Sequence, residues 1–438
     1  MELSSKQEFK MNKKLKRYSK WVLKNKFLVL VLAIFILEVF LRFYQIEERN
    51  PFGYDQVDNA WAAKNIIVNH EYPLVGMVAK GNSGIYIGPA YYYFVSFFYY
   101  ITNLNPIASG IIAGVTSIFS LWILYFVSRK LFNKEVALIA IILNTFNFNV
   151  IFYFDRIQWP VNFIPGLSLL ILYLLYKVIT GDVKKLVYLA LAIGIMFHIH
   201  FTAVLFPLMV LLSLPLFPRT LETLKYALIS IPIFILCIAP QILYIISNKT
   251  FSSNSSYLNT SYHGFHLRRA LQIINDAFIQ FNHFVIFEPL QKIKLLFPVL
   301  FSVVYLKRMK SSDNLRLLYL MGLWFVVPWI VFTTYRGEIS DYYFAPSRFV
   351  ALIMLSYLIY VVWSIKSNLI KAGVVIMLAF YVIYNLSLST NYRDVGLAER
   401  RVDVLRAVER EARIEFTQGA PESYLYYYYM RRKGVEVY

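Results

Sequence analysis

Asp55 stands in the stretch Pro51-Phe52-Gly53-Tyr54-Asp55-Gln56-Val57-Asp58, ahead of an amphipathic run with Ala60, Ala63, Ile66 and Ile67. A carboxylate flanked by aromatic and glycine residues at a membrane surface can sit in a partly dry site and act as a general base. The same residue can instead cap the helix that begins near Val57, since Asp is a good N-cap. Asp155-Arg156, followed by Gln158-Trp159-Pro160, occupies a turn of a few residues between two apolar runs. Ionisable groups so near hydrocarbon are costly unless they are solvated or used. The alternative is an interfacial ion pair anchored by Trp159. Arg336, Glu338, Asp341, Tyr342, Tyr343 and Arg348 crowd a third short stretch. Guanidinium groups bind phosphate oxygens in a planar, bidentate way, so Arg336 or Arg348 can clamp a phosphate. Arg348 at a helix end can equally snorkel.

His198 and His200 flank the junction of two short apolar runs, and a His-x-His pair can ligate a metal. No nearby Cys or carboxylate completes a set, so no metal ligand is assigned. Glu38 and Arg42, one helical turn apart, can pair on one face of a helix. Three triplets beginning at Asn248, Asn254 and Asn259 fit the glycosylation acceptor pattern.

The elements that must position these residues are membrane helices. Of 438 residues, 58% are apolar and only 16% charged, against roughly 25% charged in a soluble domain. The apolar residues arrive in long blocks, which excludes a soluble enzyme, a disordered chain and a β-barrel with its alternating pattern. The charge is 44 basic minus 25 acidic residues, or +19, and its placement tells more than its sum. Spanning segments are expected at 27–44, 106–128, 135–153, 161–179, 184–199, 202–217, 222–246, 291–306, 315–334, 347–365 and 370–388, eleven crossings in all. The basic stretch 6–26 has no cleavage site after it and is expected to stay in the cytoplasm.

The segment 88–104 sets the orientation of the rest. If it lies on the outer surface, the basic clusters at Arg129-Lys130, Lys184-Lys185, Lys307-Arg308 and Lys366 all fall inside, as the positive-inside bias prefers. Its run from Tyr91 to Tyr100 reads as an interfacial aromatic belt. A first loop at 45–105, the turn at 155–156, a loop at 247–290 and a turn at 335–347 then face outward together. The tail from 390 joins them, as an amphipathic helix at 397–416 followed by a possible strand at 424–438. The expected division is a basic cytoplasmic segment (1–26), a transmembrane domain (27–389) and a small extracytoplasmic tail (390–438). Cys237 is the lone cysteine, so no internal disulfide forms.

There is no Gly-rich phosphate loop, dinucleotide fingerprint or zinc-protease motif. An enzyme of this shape needs a membrane-borne donor.

The order of these features resembles the GT-C membrane glycosyltransferases, most closely the branch of protein O-mannosyltransferases and lipid A aminoarabinose transferases. Leu41-Arg42-Phe43-Tyr44 closes a first span, and Phe52-Gly53-Tyr54-Asp55-Gln56 stands where that branch usually has an Asp-Glu pair. Gly88-Pro89-Ala90-Tyr91-Tyr92-Tyr93 is similar to its His-Pro-Pro-Leu-Tyr-Tyr segment. Tyr153-Phe154-Asp155-Arg156 resembles its Ser-Arg turn, and Tyr342-Tyr343-Phe344-Ala345-Pro346 its Tyr-x-x-x-Pro start of a late helix. The resemblance covers residues 27–390. Two departures stand out: Gln56 replaces the usual Glu, and Ile87-Gly88 replaces the first His-Pro.

The resemblance implies an all-α polytopic GT-C fold in the cell membrane. It also implies transfer of a sugar from a polyprenyl phosphate to a protein, lipid or glycan acceptor on the outer face, with inversion. Asp55 would be the base. Asp58, Tyr91, Asp155, Arg156, Arg336, Tyr342 and Tyr343 would contact substrate, with the phosphate at Arg156 and Arg336. Some GT-C relatives need a divalent cation, for which this chain offers no convincing ligand set. Nucleic acid is not an expected partner. The competing readings are a transporter or flippase of lipid-linked glycans, disfavoured by the scarcity of midplane charges, and a non-catalytic envelope scaffold.

Overall fold

The computed structural model describes residues 24–78, 83–249, 258–262, 264–309, 311–392, 396–409 and 420–435. The basic segment before residue 24 and the acceptor triplet at Asn254 lie outside them. Among the described residues the chain is helical, with isolated β-bridges but no sheet.

Helix α1 (Lys26–Phe43) leads into a short helix, α2 (Ile46–Arg49), and then α3 (Tyr54–Val68). Helix α4 (Ala90–Ile101) packs against α3. Its 12 residues reach roughly 18 Å at about 1.5 Å each, too short for a hydrocarbon core of about 30 Å.

Then come α5 (Ala108–Leu131), α6 (Lys134–Thr145), α7 (Phe148–Asp155), α8 (Pro160–Ile179), α9 (Lys185–Met196), α10 (Phe201–Leu216) and α11 (Leu221–Asn248). After α12 (Leu267–Ala277) follow α13 (Leu296–Arg308), α14 (Ser312–Thr333), α15 (Asp341–Trp363) and α16 (Asn368–Asn391). Side-chain caps from Asn133, Thr220, Ser311 and Ser367 start α6, α11, α14 and α16. Pro160 opens α8, where its missing N–H costs nothing.

Six of these, α5, α8, α11, α14, α15 and α16, are long and apolar enough to cross a membrane. The pair α6 and α7, bent by 61°, makes a seventh if it counts as one span. The other four expected crossings form helices that fall short of that measure. Helices α9, α10 and α13 are short, and α1 carries Lys26, Glu38 and Arg42 in 18 residues. The chain is a multi-pass membrane protein.

Helices α5, α8 and the first half of α15 form the buried centre, while α11 and α16 lie at the periphery with most of their surface outward. Small residues permit the central approaches. A Cβ on Gly114 of α5 would come within 2.6 Å of the Phe43 ring at the end of α1.

The tail differs from expectation. It forms two helices, α17 (Leu397–Glu409) and α18 (Pro421–Arg432), and the described part of 424–438 holds no strand. Burial explains the difference, because Tyr424 and Leu425 are shut away while Tyr427, Tyr428 and Met430 recur at helical spacing on one covered face. Tyr424 packs among Phe52, Trp61 and Tyr99, and its hydroxyl donates to the Leu104 carbonyl at 3.0 Å.

Candidate active site

The site begins at the first turn of α3. The Gly53 N–H donates to Gln56 Oε1 at 2.8 Å, and Gln56 Nε2 donates to the Gln158 carbonyl at 2.9 Å. Gln56 is buried, and its one acceptor and one donor group are both used. It caps the helix, a task expected of Asp55, and ties the loop after α1 to the turn before α8. That tie brings Trp159 to Asp55, where the indole Nε1–H donates to Asp55 Oδ2 at 2.6 Å.

Asp55 lines a cavity of about 190 Å³ with Met77, Val78, Ile87, Trp159, Pro160, Val161, Ile199, His200 and Tyr342. Trp159 and His200 each set an aromatic ring against Tyr342, at 6.1 and 5.4 Å between centroids. Tyr343 flanks Tyr342 at 5.0 Å and stacks on Phe332. Burial holds the His200 imidazole at a pKa of about 4, so the ring is neutral. Beside the cavity, Asp58 accepts from the Tyr92 hydroxyl at 2.7 Å, and the buried Tyr91 hydroxyl accepts from Gln158 Nε2 at 3.4 Å.

The charged pairs fall differently from the sequence pattern. Asp155 is bound not to its neighbour Arg156 but to Arg42, whose Nη2 and Nε approach Asp155 Oδ2 at 2.5 and 3.1 Å. Arg42 also pairs with Glu38 at 2.9 Å, as their helical spacing predicts, and donates to the Thr145 carbonyl at 2.6 Å. Ser117 donates to the other Glu38 oxygen at 2.6 Å. Arg156 is buried, with Nη2 turned to the carbonyls of Arg42 and Tyr44. Burial, followed by the charges of Arg49 and Arg42, pushes its pKa down to about 9.

Arg348 does not snorkel. It is buried with its guanidinium 3.6 Å from the Phe154 ring centre, and its Nε donates to Gln280 Oε1 at 2.7 Å. Asp341 faces Arg348 at 3.7 Å and His283 at 3.1 Å. Arg336 is exposed, and its backbone N–H donates to the Ser261 carbonyl at 3.0 Å. Thus Asp55 and Tyr342 share one cavity, whereas neither Arg156 nor Arg336 is among its described lining residues.

Of the wall residues that sequence reasoning did not assign to this site, Trp159 and His200 carry the polar groups. Adjacency to Asp155-Arg156 drew attention to Trp159 only as an anchor, and no local pattern tells which way His200 turns. The two histidines diverge. His198 accepts from the Ala90 N–H at 3.2 Å through Nδ1, and its Nε2 meets the Cys237 carbonyl at 2.8 Å. Gly88 is required there, since a Cβ would lie 2.0 Å from His198 Nδ1. Among the described residues no three His, Cys, Asp or Glu side chains gather as metal ligands. Asp55 Oδ2 accepts from Trp159 and Asp155 Oδ2 from Arg42.

The family model for dolichyl-phosphate-mannose-protein mannosyltransferases matches residues 87–244. ArnT from Cupriavidus metallidurans, solved bound to undecaprenyl phosphate, superimposes over 90% of this chain and 74% of its own, with TM-score 0.56 and 11% identity. The archaeal oligosaccharyltransferase AglB from Archaeoglobus fulgidus, solved with an inhibitory peptide and a dolichol-phosphate, matches over 95% of this chain and 60% of its own, with TM-score 0.52 and 13% identity. The chain has the GT-C glycosyltransferase fold. No curated protein matches the sequence itself. Asp55, Arg336 and Tyr342 lie outside the stretch matched by the family model, so their place in the GT-C fold rests on the three-dimensional arrangement.

Proposed function

We propose that this protein transfers a sugar from a polyprenyl-phosphate carrier to an acceptor hydroxyl on the extracytoplasmic side of the membrane, with Asp55 as general base. The N-terminus would then face the cytoplasm and the tail the outer side. The observation that carries this reading is Asp55 fixed by Trp159 in a small, largely apolar cavity of a GT-C fold. ArnT and AglB, which share the fold, were solved with polyprenyl-type phosphates.

In the proposed step Asp55 takes the proton of the acceptor O–H as its oxygen bonds to the anomeric carbon. The bond from that carbon to the phosphate oxygen breaks, and the electron pair leaves with the lipid phosphate, so the configuration inverts. A held carboxylate and a held acceptor lower the entropic part of the barrier. Arg336, on the turn that carries Tyr342, and Arg156, three residues before Trp159, are assigned to the departing phosphate, whose charge they would stabilise. Arg156 must exchange its bonds to the Arg42 and Tyr44 carbonyls to do so. Tyr343, Tyr91 and Asp58 border the substrate, and Asp155 acts through Arg42 as a positioning residue.

Asp55→Asn in the full chain, assayed in detergent with polyprenyl-phosphate sugars, is expected to lower transfer about 100-fold or more. Transfer at the native rate by a folded D55N protein removes Asp55 as the base. Wild-type protein that moves labelled lipid-linked glycan across liposomes, with no transfer, makes it a flippase instead.

A further inference from the structure

The turn at 279–283 meets a charged cluster that the proposed reaction does not use. Gln280 is buried, and its Nε2 donates to the carbonyl and to Oδ1 of Asp341, both at 3.1 Å. Its Oε1 accepts from Arg348 Nε at 2.7 Å. Asp341 and Arg348 lie seven residues apart on α15, where a 3-10 stretch (Asp341–Ser347) runs into regular helix and leaves both side chains against the same glutamine. Asp341 also faces His283 Nε2 at 3.1 Å, a closer partner than Arg348 Nη2 at 3.7 Å.

Arg348 joins the two turns that build the cavity. Its guanidinium lies 3.6 Å from the ring centre of Phe154, five residues before Trp159. Its partner Asp341 directly precedes Tyr342, and Trp159 and Tyr342 face each other at 6.1 Å between ring centres in the wall they share with Asp55. A planar cation stacked on a ring and bonded through Nε fixes distance and angle together, which an ammonium cannot do. Asp155, next to Phe154, is the second carboxylate acting on Arg348.

His283 decides how firmly Asp341 is held by Arg348. The charges acting on its ring are those of Asp341 and Arg348, both from α15. From α7 it meets the Phe154 ring edge-on at 5.3 Å, from the α6–α7 junction Asn147 donates to its carbonyl, and on its own turn Phe284 flanks it. Burial, helped by the Arg348 charge, holds the His283 pKa below its usual value against the pull of Asp341, so the ring is neutral at pH 7. A neutral ring leaves the charge of the carboxylate to Arg348. A protonated ring would compete for that carboxylate and repel the guanidinium.

We propose that Arg348 is a positioning residue for transfer, holding Trp159 and Tyr342 at their working separation, and that a proton taken from solvent by His283 slackens this hold. The inference rests on the transferase reading and adds a regulation by acid to it.

The test changes one charge at a time. Arg348→Met keeps the length of the side chain and removes the cation. His283→Gln keeps an amide donor near the place of Nε2 and takes up no charge. Transfer from polyprenyl-phosphate sugars is measured for the full chain in nanodiscs, from well below to well above the usual histidine pKa of about 6.5. In R348M the ring faces Asp341 without the opposing cation, so the acid limb of kcat is expected to move to higher pH. In H283Q the limb should move to lower pH. At neutral pH R348M should lose about tenfold or more in kcat, with a smaller change in KM for the lipid donor. The proposal is overturned if either limb stays at its native pH or if R348M keeps the native kcat. A native limb in H283Q is enough by itself, whether or not R348M folds. Wild-type protein that transfers no sugar at any pH overturns the transferase reading itself.

Discussion

Gln56 is the residue at which chemistry and architecture are most easily confused. By likeness to other GT-C sequences it stands in the place of an acid and looks like a lost catalytic group. In the structure it accepts from Gly53 and donates to Gln158, which no carboxylate can do at once. Q56E should therefore set a buried carboxylate oxygen against the Gln158 carbonyl, costing about 1–3 kcal/mol. The expected result is a lower melting temperature together with weaker transfer, because the same bond aligns Trp159 with Asp55. A Q56E protein with increased transfer would mean that Gln56 is a disabled acid rather than a clip. Asp55 itself was legible as a candidate from its aromatic and glycine neighbours. Its partner Trp159, 104 residues away, was not, because nothing in either stretch encodes their meeting.

At the scale of elements, Gly88 and His198 lock the strand-like approach to α4 onto the start of the α9–α10 junction. The Gly88 N–H donates to the Phe197 carbonyl at 3.0 Å, and His198 receives the Ala90 N–H. Gly88→Ala should drive its methyl into the imidazole and destabilise the protein by about 1–3 kcal/mol. Ile87, which lines the cavity, should shift with it, so transfer should fall as well as thermal stability. A G88A protein of native stability and activity would show that this contact yields freely. Helix positions were largely readable because apolar runs fix them, and α1, α5, α8, α14 and α16 fall close to their expected limits. The tail was not. Its tyrosine-rich stretch suits a strand by composition, and only its packing on Phe52, Trp61 and Tyr99 selects a helix.

Across the whole molecule, the loops expected to face one side do meet. The first loop touches the turn before α8 through Trp159, Trp159 touches the 335–347 turn through Tyr342, and that turn meets residues 261–280 through Tyr262 and Gln280. Beneath them, Glu38, Arg42 and Asp155 join α1 to the end of α7 in a buried network. Replacing Arg42 leaves two carboxylates without their cation, and R42M should cost about 3–5 kcal/mol, read as a drop in melting temperature in detergent. An unchanged melting temperature would mean that water already reaches both acids. The sequence pattern paired Asp155 with Arg156 because they are adjacent, but adjacent residues on a helix point apart, and long-range partners take their place.

The docking of α18 on α3 also has a consequence in time. Trp61 meets Ser423 from 362 residues further along. At roughly 5–20 residues per second on the ribosome, the wedge behind Phe52 arrives about 20–70 s after the aspartate it supports. A nascent chain already threaded into the bilayer would thus hold the loop of Asp55 unbraced until the late helices fold back, so that loop reaches its final setting only once synthesis has passed that point.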